Sequence, residues 1–159
     1  MIERGYEETA DKIVAEFAKT IEMFDLTTSE AHLFAHLYIK NKPLTLDEMG
    51  EAMGKSKAAM STSVRSLLDM NLVTRVWKKG VRKDLYKANN PLFKTFMQTY
   101  LNKWIDATGS QKEALEKIRK CILAEQTKEQ KEAFQNIERR LEEMITFHEQ
   151  IMKTFQRIL

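Results

Sequence analysis

The chain has few of the residues that form irregular loops or covalent cross-links. Its 159 residues include five glycines, two prolines and one cysteine. So few glycines and prolines favour a helix-rich fold. The single cysteine, Cys121, excludes an intramolecular disulfide framework and suits a reducing cytoplasm. We expect Cys121 to be a buried structural thiol, because that is the usual state of a lone intracellular cysteine.

The sequence also lacks signals for membranes and secretion. No apolar run approaches the roughly 18 residues that a transmembrane helix needs. Residues 1–8 contain no basic region followed by an apolar block, which is the pattern of a secretory signal. We therefore expect a cytoplasmic protein without a membrane partner.

Arrangements typical of catalysis are missing as well. There is no glycine-rich phosphate loop, no nucleophile elbow and no acidic pair in a plausible cleft. His32 and His36 have the i, i+4 spacing of two metal ligands on one helix, but we find no third ligand to complete the set. We therefore expect no enzyme, with no catalytic residue, no metal and no cofactor.

The most informative stretch runs from Thr45 to Lys87 and begins with two short helices. Thr45-Leu-Asp-Glu48 is a capping-box pattern, and Gly54 can end the first helix in the left-handed conformation. Ser56 then caps a second helix that we expect to reach about Asn71. Apolar residues of the second helix would pack on the first: Met60, Val64, Leu67 and Leu68 against Leu46, Met49 and Met53.

The opposite face of the second helix is small, hydroxylated and basic. Its residues are Lys57, Ala58, Ser61, Thr62 and Arg65. Such a face allows close approach to DNA and supplies hydrogen-bond donors. The two helices are therefore predicted to form a helix-turn-helix.

A basic β-hairpin is predicted to follow. Leu72–Trp77 alternates β-branched residues, and Leu85–Ala88 can return beside it, with Gly80 in the turn. The turn carries four cations: Lys78, Lys79, Arg82 and Lys83. From Gly54 to Ala88 there are nine Lys/Arg and two Asp/Glu, a charge of +7, while the whole chain is +3 and the remainder is therefore −4. Positive charge is concentrated where a duplex would lie.

The string from Gly54 to Arg75 resembles the winged helix-turn-helix of MarR-type bacterial regulators. The continuation Val76-Trp-Lys-Lys-Gly-Val-Arg-Lys-Asp-Leu-Tyr86 departs from the usual MarR wing, which has an aspartate and an arginine at the hairpin tip. It is more similar to the GbsR branch, whose wings carry a Trp, then Lys-Gly-x-Arg-Lys-Asp and a Tyr. The resemblance is dense over about residues 45–90 and elsewhere extends only to helix order and length.

This resemblance implies a DNA-binding site and an effector. The expected DNA-binding residues are Ser56, Lys57, Ser61, Thr62, Arg65, Lys78, Lys79, Arg82 and Lys83. Among them, Arg65 suits bidentate readout of guanine, and Arg82 suits a narrow minor groove. The GbsR branch senses choline and glycine betaine, and aromatic faces hold a quaternary ammonium through cation–π attraction. The candidate ligand-binding residues are Tyr38, Trp77, Tyr100 and Trp104, although the same aromatics could be core and interface filler.

Helices are predicted on both sides of the winged region. Residues 3–24 form an amphipathic helical pattern. Its apolar stripe consists of Tyr6, Ala10, Ile13, Phe17 and Phe24, with Ile21 at its margin. A further helix is predicted from a Thr27–Glu30 capping box to about Lys40. Pro91 suits the first turn of a helix that reaches about Glu125, with a possible interruption at 106–110. The last helix carries a heptad stripe: Phe134, Ile137, Leu141, Met144, His148, Ile151, Phe155 and Ile158. Such a stripe needs a partner helix along its whole length, so we expect a homodimer.

The predicted fold class is mainly α with a small β-hairpin wing, a winged helix-turn-helix with long dimerisation helices. Residues 1–25 are assigned to an N-terminal dimerisation helix, 26–90 to the DNA-binding domain and 91–159 to a C-terminal dimerisation region. The expected function is a homodimeric transcriptional regulator, a repressor, that binds double-stranded DNA at a pseudo-palindromic operator under control of a small effector. The alternatives are an architectural DNA-binding protein without effector and a helical protein-interaction module.

Overall fold

The computed structural model describes residues 2–124 and 127–159 and divides into two compact units, the first ending at Thr99 and the second beginning at Tyr100. The element order is α1 (Ile2–Glu22), α2 (Thr28–Lys40), α3 (Leu46–Met53), α4 (Lys57–Asp69), β1 (Val73–Val76), β2 (Leu85–Ala88), α5 (Leu92–Ala124) and α6 (Lys128–Ile158). The predicted fold class, helical with a two-stranded hairpin, is confirmed. None of the helices in the described part of the chain is both long and apolar enough to cross a membrane.

The core of the first unit lies among α1, α2 and α4. Its fully enclosed side chains include Leu33, Phe34, Leu37, Met49, Met60 and Leu67. The edge of Phe96 meets the face of Phe34 at a centroid distance of 5.0 Å, which fixes the beginning of α5 on this core. The winged region is thus built on a rigid apolar base.

The first helix buries only one side of the stripe expected for it. Ala10 and Ile21 of the expected set are buried, together with Val14 and Ala18, whereas Tyr6 is 61% and Ile13 is 51% exposed. Within one chain α1 packs chiefly along α2. The buried face is therefore rotated towards Val14 and Ala18, and the Tyr6 and Ile13 side of the stripe stays exposed in the single chain.

In the first unit, polar caps begin helices and left-handed residues end them. Thr27 and Glu30 form the predicted capping box of α2, with the Thr27 N–H donating to Glu30 and the Glu30 N–H to the Thr27 hydroxyl. Asn41 ends α2 with φ 49°. Asn71, also left-handed at φ 56°, follows α4. Asn tolerates this conformation better than most residues, so both turns are explained locally.

The wing is a two-stranded antiparallel sheet tied to the segment before α3. Val73 pairs with Ala88 and Val76 with Leu85. Leu44 exchanges two backbone hydrogen bonds with Tyr86, both 2.9 Å. The hairpin therefore has a third backbone segment at its base, and its loop, residues 77–84, extends beyond it.

The second unit is an antiparallel helical hairpin of α5 and α6. Arg119 contacts Glu142 at 2.9 Å and Lys112 contacts Glu149 at 3.1 Å, while Trp104 meets Phe155 edge to face. The helix continues without interruption through 106–110 to Ala124; its expected end at Glu125 lies outside the described residues. Cys121 is exposed on α5, so the expectation of a buried thiol was wrong. Pro91 immediately precedes α5, one position earlier than expected.

The heptad stripe of α6 is covered only in part. Leu141 and Ile145 are buried, and Phe134, His148 and Phe155 are half-buried. The other series of the heptad is more exposed: Ile137 is 50%, Met144 51% and Ile158 56% exposed, and Ile151 is half-buried. In the single chain α5 covers one series of apolar side chains and leaves most of the second series exposed.

Candidate nucleic-acid interface

The helix-turn-helix begins with a complete capping box on α3. The Glu48 N–H donates to the Thr45 hydroxyl oxygen, and the Thr45 N–H donates to the Glu48 carboxylate, each at 3.2 Å. The helix ends at Gly54, which has φ 65° and donates its N–H to the carbonyl of Gly50. Both features follow the sequence prediction, because capping and left-handed glycines depend on neighbours along the chain.

Gly50 is what allows the turn after α3 to close. A Cβ on Gly50 would lie 2.7 Å from the carbonyl oxygen of Lys55 and 3.7 Å from the side chain of Met60. The Lys55 N–H donates to the Gly50 carbonyl at 2.9 Å. Backbone therefore meets backbone at this point, which brings α4 close against α3. Sequence reasoning missed Gly50, although a glycine inside a short helix was the available signal.

The second helix, α4, separates a buried face from an exposed one. Ser56 accepts a hydrogen bond from the Ala59 N–H at 3.1 Å and so caps the helix, as predicted. The buried residues are Met60, Ser63, Val64 and Leu67. The predicted DNA-binding residues lie on the other side: Lys57, Thr62 and Arg65 are exposed and Ser61 is half-buried. Capping uses only an oxygen lone pair of Ser56, so its hydroxyl proton can still be donated to a phosphate.

The wing presents all four of its predicted cations to solvent: Lys78, Lys79, Arg82 and Lys83 are exposed. Arg75, at the base, lies 3.9 Å from Asp84 and 5.7 Å from the ring centroid of Tyr86. Hydrogen bonding to the Tyr86 hydroxyl is the main reason that the pKa of Arg75 is raised, with a smaller contribution from the negative charge of Asp84. Arg75 therefore stiffens the hairpin below the loop.

Asp47 joins the wing to the two helices. Its Oδ2 lies 2.7 Å from Lys83 Nζ and 3.9 Å from Lys57 Nζ. The hydrogen bond from Lys83, followed by the charge of Lys57, lowers the pKa of Asp47, and the same hydrogen bond raises the pKa of Lys83. Two predicted DNA-binding residues, from α4 and from the wing, are thus brought together. Sequence reasoning missed Asp47, because 36 residues separate it from Lys83.

The candidate ligand-binding aromatics are distributed over three places. Tyr38 packs on Phe34 and Phe17, with centroid distances of 6.2 and 6.1 Å. Trp77 is 81% exposed on the wing. In the second unit, Tyr100 and Trp104 lie 6.4 Å apart.

Tyr38 also lines a cavity of about 610 Å³ in the first unit. Phe17, Ile39, Asn41, Asn90 and Leu92 are among the other lining residues. A second cavity, of about 260 Å³, has an almost wholly apolar wall that includes Phe24, Phe93 and Phe96. The larger cavity offers aromatic faces together with amide groups.

Comparison with known proteins gives a consistent result. The sequence pattern of the MarR family matches residues 24–78. The putative HTH-type transcriptional regulator YvaV of Bacillus subtilis (strain 168) is 30% identical over 146 residues, which cover 89% of this chain and 82% of YvaV. The HTH-type transcriptional repressor GbsR of the same organism is 34% identical over 98 residues, which cover 62% of this chain and 54% of GbsR. This chain therefore matches about half of the length of GbsR.

A solved structure shares the fold. The crystal structure of a transcriptional regulator superimposes with a TM-score of 0.67 at 16% identity, over 94% of this chain and 95% of the other.

Proposed function

The chain belongs to the MarR family of DNA-binding transcriptional regulators, and from that premise we propose that it is a homodimeric repressor controlled by a small effector. The observation that supports this most is the arrangement around Asp47. An exposed polar face of α4 and a basic wing loop are linked there through Lys57 and Lys83. Both cationic groups can therefore meet one duplex.

In this proposal each part of the interface has its own task on DNA. The face of α4 enters the major groove, where Arg65 forms two hydrogen bonds to guanine. Ser56, Lys57, Ser61 and Thr62 contact phosphates or base edges near it. Arg82 enters the minor groove, while Lys78, Lys79 and Lys83 neutralise phosphates. Repression follows because a dimer bound across a promoter obstructs it.

DNA selection followed by titration tests the interface. Duplexes bound by the purified protein are enriched from a random library, and the enriched site is then titrated by fluorescence anisotropy. Arg65→Ala should weaken binding about tenfold or more and relax selectivity, because one bidentate contact is worth about 1–3 kcal/mol of discrimination. Lys117→Ala, an exposed change on α5, is the matched control and should change nothing. Failure to enrich any sequence would contradict sequence-specific regulation.

Dimerisation is proposed from the apolar side chains that one chain leaves uncovered. On α6, Ile137, Met144 and Ile158 belong to one heptad series and are each at least half exposed; on α1, Ile2, Tyr6 and Ile13 share one exposed side. We assign residues 1–25 and 91–159 to dimerisation regions, whose exposed apolar side chains form the interface, and residues 26–90 to the DNA-binding domain. The α4 helices of the two protomers are the recognition helices, and about 34 Å apart they would enter successive major grooves of a pseudo-palindromic site.

Sedimentation equilibrium tests the dimer. Met144→Lys places a charge in the proposed interface and should shift the protein towards monomer, with weaker operator binding as a consequence. Thr146→Lys introduces the same charge at an exposed polar position two residues away and should leave the dimer intact. A wild-type monomer at micromolar concentration would contradict the proposal.

For the effector we propose a quaternary ammonium osmolyte, choline or glycine betaine, in the cavity beside Tyr38. The ring of Tyr38 can face the cation, and the amides of Asn41 and Asn90 can bind a hydroxyl or carboxylate. Tyr100 and Trp104 are a second aromatic pair with the same chemistry. Binding would favour one separation of the recognition helices, and only one separation fits the operator.

Isothermal titration with choline and with glycine betaine tests the effector. Tyr38→Leu should weaken binding severalfold or more, because it removes the aromatic ring proposed to face the cation. If neither compound gives heat or raises the melting temperature, the effector proposal fails and a DNA-binding protein without effector is left.

A further inference from the structure

Trp77 is the most exposed aromatic residue among those described, with 81% of its surface accessible. It follows the last residue of β1, Val76, and is the first residue of the wing loop. In residues 2–124 and 127–159 the structure records no ring stacking or cation–π contact for its indole. An indole exposed to this extent is unusual, because tryptophan side chains are largely buried in most proteins.

The surroundings of Trp77 specify the charge of its partner. Lys78 and Lys79 follow it directly, and Arg82 and Lys83 complete the loop. Arg75, two positions earlier at the end of β1, is also exposed. An apolar protein surface or a cationic ligand would be a poor match for this cluster. A polyanion that also offers apolar surface is a good match, and in a DNA duplex the phosphates alternate with deoxyribose rings exposed at the groove walls.

The loop is already held at the DNA-binding face. Asp47 binds Lys83 at 2.7 Å and approaches Lys57 of α4 at 3.9 Å. Trp77 is the first residue of this loop, directly after β1 and next to cations proposed to lie on phosphates. When those cations neutralise the backbone, the indole is brought to the wall of the groove without any change in the core.

We propose that Trp77 is a DNA-binding residue of the wing, with its indole packed on deoxyribose at the groove wall. It supplies the apolar part of an interface whose other wing residues act through charge. This inference rests on DNA binding by the winged region, and it assigns Trp77 to the DNA and not to the effector. The contact is independent of sequence, because every nucleotide presents the same deoxyribose.

Salt dependence distinguishes this contact from a charged one. Trp77→Ala should weaken binding to a mixed-sequence duplex about tenfold, and by the same factor at every salt concentration, since an indole releases no counterion. Lys79→Ala, two residues away, should lower the slope of log affinity against log salt by about 1. Trp77→Phe should recover part of the loss. The proposal would be overturned if Trp77→Ala lowered the slope of log affinity against log salt as much as Lys79→Ala does, or if Trp77→Ala left the affinity unchanged.

Fluorescence gives a direct second readout. The chain has two tryptophans, so Trp104→Phe leaves Trp77 as the sole indole emitter. On titration with duplex, its emission should change and its quenching by acrylamide should fall, while anisotropy of labelled DNA reports binding in the same sample. Unchanged quenching at saturating DNA, or protection by choline in place of DNA, would overturn the proposal. Absence of DNA binding in the anisotropy channel would instead contradict the proposed function itself.

Discussion

Gly50→Ala is the most decisive test of how the helix-turn-helix is assembled. Two opposing effects act on this substitution. Alanine is favoured over glycine inside a helix by about 0.8–1 kcal/mol. Against this, the new Cβ would lie 2.7 Å from the Lys55 carbonyl oxygen, about 0.7 Å closer than ordinary contact. The obstacle is backbone and cannot rotate away, so the turn itself must move.

Overpacking of this kind costs about 1–3 kcal/mol. The net change expected for Gly50→Ala is therefore a loss of about 0–2 kcal/mol, opposite in sign to the helix propensity. Gly5→Ala is the matched control, because Gly5 is also helical and its Cβ would meet nothing within 4 Å. That variant should be neutral or stabilised by up to about 1 kcal/mol. The difference between the two variants, about 1–3 kcal/mol, isolates the contact with Lys55.

Urea unfolding at fixed protein concentration measures both variants, with the midpoint converted to free energy at a common slope. DNA binding by the folded Gly50→Ala protein is then measured separately, and we expect it to weaken because α4 must shift away from α3. If Gly50→Ala is as stable as Gly5→Ala and binds DNA normally, the close approach at Gly50 does not determine the position of α4.

Two further predictions concern charge. Asp47→Asn should tighten binding to non-specific DNA severalfold at low salt and steepen its salt dependence, because Lys57 and Lys83 lose a competing carboxylate; anisotropy at two salt concentrations measures this, and weaker binding throughout would mean that Asp47 acts chiefly by holding the wing. The pKa of His36 in the folded protein is lowered first by burial and then by the charge of Lys40, with the charge of Asp11 opposing. Because His36 of the unfolded chain binds a proton at higher pH than His36 of the folded protein, the free energy of unfolding should fall as pH drops below about 6.5. His36→Gln should reduce the change in the urea midpoint between pH 7.5 and 5.5. If the midpoint declines equally in the wild type and in the variant, His36 is not the group responsible.

Features that depend on near neighbours were predictable from the sequence. The caps at Thr27, Thr45 and Ser56 and the left-handed Gly54 were all confirmed, because each joins residues within a few positions along the chain. The division of α4 into buried and exposed faces was predicted for the same reason, since helical periodicity fixes which residues share a side. The hairpin and its basic loop also followed from alternation and composition.

The burial of individual side chains was not predictable where it depends on packing between helices. On α1, Ala10 is buried and Tyr6 and Ile13 are exposed in the single chain, because the buried face depends on the position of α2 and not on the apolar pattern alone. On α6 the heptads predicted a need for cover, but the hairpin with α5 decides that Leu141 is buried and Met144 is not. Cys121 was expected inside and lies outside for the same reason.

The helix-turn-helix, the wing and the concentration of positive charge on them follow from the sequence alone. Their signals are local patterns of caps, periodicity and composition, and these act before any distant contact forms. Three other features depend on tertiary contacts: Asp47 links Lys57 to Lys83, the turn after α3 closes on Gly50, and Trp77 is exposed among the cations of the wing. Those features arise where separate segments meet in space, and a linear pattern carries no distance between them.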